Sequence, residues 1–98
     1  MSTPFSDFLR QDQRLVMLRI LSEVPQYRAN SSVIASLLGE FGHHPSRDQV
    51  KTELVWLGDQ GLVKVEDIGS VLVVTLIERG ADVAAGRSSV PGVSKPRP

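Results

Sequence analysis

At 98 residues the chain reads as one domain, and 41% hydrophobic with 22% charged residues is the composition of a soluble globular protein. It has no cysteine, which excludes disulfides, thiolate metal sites and cysteine nucleophiles. No apolar run approaches the ~18 residues of a membrane span, and no secretory leader opens the chain, so a cytoplasmic protein with no membrane partner is expected. Net charge is zero, although a DNA binder usually carries a basic excess. The charge is uneven: Arg87, Lys95 and Arg97 make residues 87–98 +3 with no acid, leaving −3 on residues 1–86.

Residues 1–5 are expected to fray. Ser6 or Asp7 then caps a first helix running to about Val24, where Pro25 follows. Met17, Leu18 and Leu21 lie together on its wheel and form a core face. Leu9, Val16 and Ile20 form a second apolar stripe, which either meets a C-terminal helix of the same chain or makes the seam of a homodimer. Arg10, Arg14 and Arg19 alternate with Asp7, Asp12 and Glu23, the pattern of a solvated charged surface.

Residues 26–29 read as a connection. Asn30 or Ser31 caps a second helix over about residues 31–41, with Val33, Ile34, Leu37, Leu38 and Phe41 on one buried face. Gly42 stops it. His43-His44-Pro45 is the turn to the third helix. Adjacent histidines diverge and no acidic pair stands nearby, so the expectation is an exposed turn and no metal.

The third helix carries the clearest local signal. Ser46 and Gln49 form an S-x-x-Q capping box after Pro45, Val50, Leu54 and Leu57 recur on one edge, and Gly61 ends the helix. A strand over residues 62–66, a turn over 67–70 and a β-branched return strand over 71–76 predict a hairpin. Thr75 with Glu78 offers another capping box for a short helix over about residues 78–85, in which Gly80 costs about 1 kcal/mol relative to alanine. Residues 87–98, with three prolines and almost no apolar content, read as a flexible basic tail.

These elements predict an α+β winged helix-turn-helix: a three-helix core, a β-hairpin wing and a short C-terminal helix over residues 6–86. The core should include Met17, Leu18, Leu21, Ile34, Leu37, Leu38, Phe41, Val50, Leu54, Leu57, Leu62 and Val74. No nucleophile elbow, phosphate loop, dinucleotide fingerprint or zinc helix is present, so neither an enzyme nor a cofactor is expected.

In a helix-turn-helix the second helix of the pair enters the major groove. With Val50, Leu54 and Leu57 inward, Asp48, Thr52, Val55 and Asp59 point outward, flanked by Arg47 and Lys51 on one side and Gln49 and Trp56 on the other. Arg47 suits guanine, Gln49 adenine, Thr52 a base edge or thymine methyl, and Lys51 a phosphate. Lys64 on the wing and Arg87 in the tail complete the candidate DNA contacts. Against them stand Asp48, Asp59, and the acids Glu66 and Asp67 beside Lys64. The alternative is a protein-interaction adaptor that binds another protein. It would use Val55 and Trp56, unless Trp56 is core packing against the wing.

The run SRDQVKTELVWLGDQGLVKVEDIGSVLVVTLIERGADVAAG resembles bacterial winged-helix regulators, in which a recognition helix leads through G-L-V into a hairpin and an ERG helix start. The segments FLRQDQRLVMLRILSEVPQY, SRDQVKTELVWL and VPGVSKPRP resemble a family of small proteins of Mu-like transposable phages and prophages, over about residues 6–97. The resemblance implies a phage protein in a bacterial host, where the partner of an adaptor would be a phage or host protein. By analogy with the regulators it implies DNA contact through Arg47, Gln49, Lys51 and Thr52. Ile77 departs from the regulator pattern, which has a capping threonine before ERG.

Overall fold

The computed structural model describes residues 3–97. Its elements are α1 (Pro4–Glu23), a 3-10 turn (Pro25–Tyr27), β1 (Arg28–Asn30), α2 (Ser31–Glu40), α3 (Arg47–Asp59), β2 (Val63–Asp67), β3 (Leu72–Leu76) and α4 (Glu78–Ala84). This is the winged-helix arrangement, with α2 and α3 as the helix-turn-helix and β2–β3 as the wing. No helix among the described residues is long and apolar enough to cross a membrane.

The helix starts follow side-chain chemistry. α1 begins earlier than expected because Thr3, not Ser6 or Asp7, is the cap: Thr3 Oγ1 accepts from Ser6 N–H, and the Ser6 hydroxyl oxygen accepts from Thr3 N–H. Of the five residues expected to fray, Pro4 and Phe5 are therefore helical, and Met1 and Ser2 lie outside the described residues. Asn30 caps α2, and Ser46 with Gln49 forms the predicted box on α3. α4 starts at Ile77 with no side-chain cap, so the Thr75 box does not form. Thr75 lies within β3.

The ends of α2 and α3 share one device. After α2, Gly42 N–H donates to Gly39 O and His43 N–H to Leu38 O; after α3, Gly61 N–H donates to Gly58 O and Leu62 N–H to Leu57 O. Glycine in the left-handed region permits this Schellman closure, which turns the next residue inward. Leu62 becomes fully buried. His43 is carried inward too, correcting the expected exposed turn: it is 8% exposed, with Nε2 at 2.7 Å from Asp12 Oδ2 on α1. His44 remains exposed.

The hairpin gains a third strand. The order is β1-β3-β2, all antiparallel, with Ala29 opposite Val74 and Val65 opposite Val74 from the other side. The expected connection at residues 26–29 thus contains the start of an edge strand. It enters through Gln26 and Tyr27, both at positive φ. Ser31 Oγ accepts from Leu72 N–H, occupying the first donor of β3.

Most of the predicted core is buried: Met17, Leu18, Leu21, Ile34, Leu38, Val50, Leu54, Leu57, Leu62 and Val74 are inaccessible to solvent. Leu37 is partly buried against it, whereas Val33 and Phe41 are exposed because α2 turns only the Ile34–Leu38 edge inward. Val16 and Ile20 are buried within the chain, where α1 packs along α4, so they are not available as a dimer seam; Leu9 alone of that stripe is exposed.

The segment expected as a flexible tail is folded through residue 97. Val90 and Val93 are in the core, brought together by a turn in which Val93 N–H donates to Val90 O across Pro91-Gly92. Proline followed by a positive-φ glycine is the type II turn pattern. We refer to residues 87–97 as the strap.

Candidate nucleic-acid interface

α3 presents its outer arc between two structural flanks. On one side Gly58 sits against Val65 of the wing, where an added Cβ would lie 3.0 Å from Val65 Cγ2. On the other, Glu53 and Trp56 face α1 and the strap. Between them Asp48, Thr52, Val55 and Asp59 are exposed. Asp48 lies in the first turn, where its carboxylate complements the helix dipole, a structural reason for an acid on this face.

The predicted contact residues divide by what their polar atoms already do. Arg47 is exposed, makes no ion pair among the described residues, and lines a small notch with Ser31, Ser32, Lys51, Ser70 and Val71. Lys51 Nζ donates to Ser70 O at 3.0 Å, tying the wing turn to α3. Gln49 Oε1 accepts from Ser46 N–H at 2.9 Å, so a two-point adenine contact requires opening the cap. The Thr52 hydroxyl donates to Asp48 O at 3.0 Å, which commits its hydrogen and leaves its methyl group and the acceptor side of its oxygen for contact. Arg47 and Lys51 thus share one notch, while Gln49 Oε1 and the Thr52 hydroxyl hydrogen are engaged in helix structure.

The wing acids have structural partners. Glu66 pairs with Arg28 of β1 at 3.7 Å, and Asp67 Oδ1 accepts from Gly69 N–H, closing the turn. Lys64 is exposed on β2 with no acidic partner among the described residues. Arg87 Nε donates to Asp82 Oδ1 at 3.0 Å, far along the chain from the α3 notch.

Arg14 is the residue that sequence reasoning missed. Its Nε binds Glu53 Oε1, its Nη1 donates to Gly92 O at 3.0 Å, and its guanidinium lies 3.7 Å from the Trp56 ring centroid. Trp56 therefore packs against Arg14 and the strap rather than the wing. It is half-buried, with Gly92 so close that an added Cβ would lie 2.8 Å from the ring. Val55 stays 46% exposed. Nothing in the spacing of Arg14 marked this role, because all three of its partners are distant in sequence.

No family model matches the chain. The uncharacterized protein gp26 of Escherichia phage Mu is 46% identical to it over 93 residues, spanning 95% of this chain and 96% of gp26. The chain belongs to the gp26 family. An uncharacterized protein of Haemophilus influenzae is 47% identical over 73 residues, covering 74% of the gp26-family chain and 71% of its relative. Among solved structures, one titled "The complex structure of hsRosR-S1" superposes with a TM-score of 0.61 and 21% identity, covering 86% of this chain and 67% of that one. At that identity the likeness is one of fold. It places the gp26-family chain in the same α+β winged-helix architecture.

Proposed function

We propose that this gp26-family protein binds double-stranded DNA as a phage or prophage transcriptional regulator, with α3 in the major groove. The observation that carries this reading is the notch of Arg47 and Lys51, open to solvent between the start of α2, the first turns of α3 and the wing turn. A helix-turn-helix docks that end of its second helix on base edges and phosphates. Arg47 is the free cation for a guanine edge. Lys51, held by a single carbonyl, supplies charge to the backbone beside it. Lys64 extends the same polarity along the wing. The protein-adaptor alternative has less aromatic surface to use, because Trp56 is half-buried and engaged by Arg14 and Gly92 within the chain, while Val55 stays exposed.

The test is the double variant Arg47→Ala/Lys51→Ala, titrated by fluorescence anisotropy against fragments of Mu-like phage DNA. Removing two phosphate-range cations should make the plot of log K against log salt shallower by about 2. Loss of discrimination between fragments should accompany it. Binding equal to wild type at every salt concentration would remove α3 from the interface.

A further inference from the structure

The strap has two faces with different chemistry. Its inner face holds Val90 and Val93 in the core and Gly92 against Trp56, and Ser94 N–H donates to Gln11 O on α1. The strap is thereby fixed to α1 directly and to α3 through Trp56 and the Arg14–Glu53 pair. Its outer face forms two adjoining hollows of about 570 and 280 Å³, which share Ser89 and Lys95. Arg87, Lys95, Arg97 and the hydroxyls of Ser88, Ser89 and Ser94 line them, and no lining residue is acidic.

Among the described residues, the one carboxylate bound to this set is Asp82, which pairs with Arg87 at 3.0 Å. Lys95 and Arg97 have no acidic partner among the described residues. The Arg97 guanidinium is held 5.5 Å from the Phe8 ring centroid instead. All eleven acids of the chain precede residue 87, so this hollowed surface is a local cationic patch on an otherwise slightly acidic molecule. Serine hydroxyls beside unpaired cations suit phosphate oxygens.

Position identifies the phosphate source. Gly58 meets the hairpin wing and Trp56 meets the strap, and residues two apart on a helix point about 200° apart. The hairpin and the strap therefore hold α3 from opposite sides. The hairpin tip carries no cation and the strap carries three. Resting on the DNA-binding reading above, we infer that the strap is a second wing, which binds the phosphate backbone of the duplex through Lys95 and Arg97 while α3 occupies the groove.

The test uses the full-length chain with Lys95→Ala/Arg97→Ala and a random-sequence duplex. Both side chains lie outside the buried face, so the thermal melt should match wild type. The salt slope should become shallower by about 2, and affinity at about 0.1 M salt should fall roughly ten- to a hundred-fold. The charge-preserving Lys95→Arg/Arg97→Lys variant should keep the wild-type slope. The preference between specific and random fragments should be unchanged, unlike in Arg47→Ala/Lys51→Ala. An unchanged slope in the strap variant, with wild type still binding, overturns the second wing and leaves the α3 reading standing. Wild type that binds no duplex at low salt overturns both. Tighter binding to single-stranded RNA of equal length than to the duplex, lost in the strap variant, overturns the DNA assignment of this surface.

Discussion

Gly80→Ala should destabilise the fold by about 2–4 kcal/mol, although alanine is the better helix former by about 1 kcal/mol. An ideal Cβ at Gly80 would lie 2.1 Å from Leu62 O, 2.7 Å from Leu76 Cδ1 and 3.0 Å from Leu62 C. The first and third are backbone atoms, so no rotamer change relieves them. The start of α4 would have to move off the sheet, losing the Ile77 N–H donation to Leu62 O at 3.3 Å and loosening Val83 and Ala84 in the core. For a chain of this size the melting temperature should fall by roughly 10–25 °C. Equal or greater stability in urea or thermal unfolding would mean that α4 does not dock against Leu62.

Arg14→Ala should cost about 2–3 kcal/mol and release the strap. The side chain is 12% exposed and joins α1 to α3, through Glu53 and the Trp56 face, and to the strap, through the Gly92 carbonyl. Its removal leaves the Glu53 carboxylate, 13% exposed, with only Arg10 at 3.8 Å. Losing one partner of a largely buried pair costs more than the pair contributes, because the remaining charge stays desolvated. The remaining Arg10 and partial exposure keep the effect below that of a fully buried pair. Glu53→Gln in the same chain should recover part of the loss, a coupling that a double-mutant cycle measures. Hydrogen exchange at residues 87–97 should accelerate in the single variant. Additive effects with an unchanged strap would show that Arg14 is not the link.

Much of this fold is written in local chemistry. The Ser46–Gln49 box, the Val50–Leu54–Leu57 edge, Gly61 and the β-branched run of residues 71–76 each act within a few residues, and each forms as read. What the sequence concealed depends on distant partners. β1 is three residues of Arg-Ala-Asn that become a strand only because β3 offers an edge. Ile77 caps nothing, and α4 is held instead by the close approach at Gly80, which propensity alone counts as a defect.

The strap was misread from its composition. Two valines among prolines, serines and basic residues look too few to fold, but the Pro91-Gly92 turn sets them side by side and buries both. The turn signal was present in the sequence; the groove that receives it was not. At the candidate interface, residue type singled out Arg47 and Lys51, and the structure brings both to one notch. It could not show that Gln49 Oε1 and the Thr52 hydroxyl hydrogen are engaged at the cap and within α3. His43 gave no hint of its bond to Asp12, thirty-one residues earlier.

The most direct measurement is anisotropy of the wild-type protein with fragments of Mu-like phage DNA and random competitor, across a salt series. Saturable binding to one fragment above competitor, weakening steeply as salt rises, is the expected result. Absence of binding to any duplex at low salt would contradict a DNA-binding role for the winged helix.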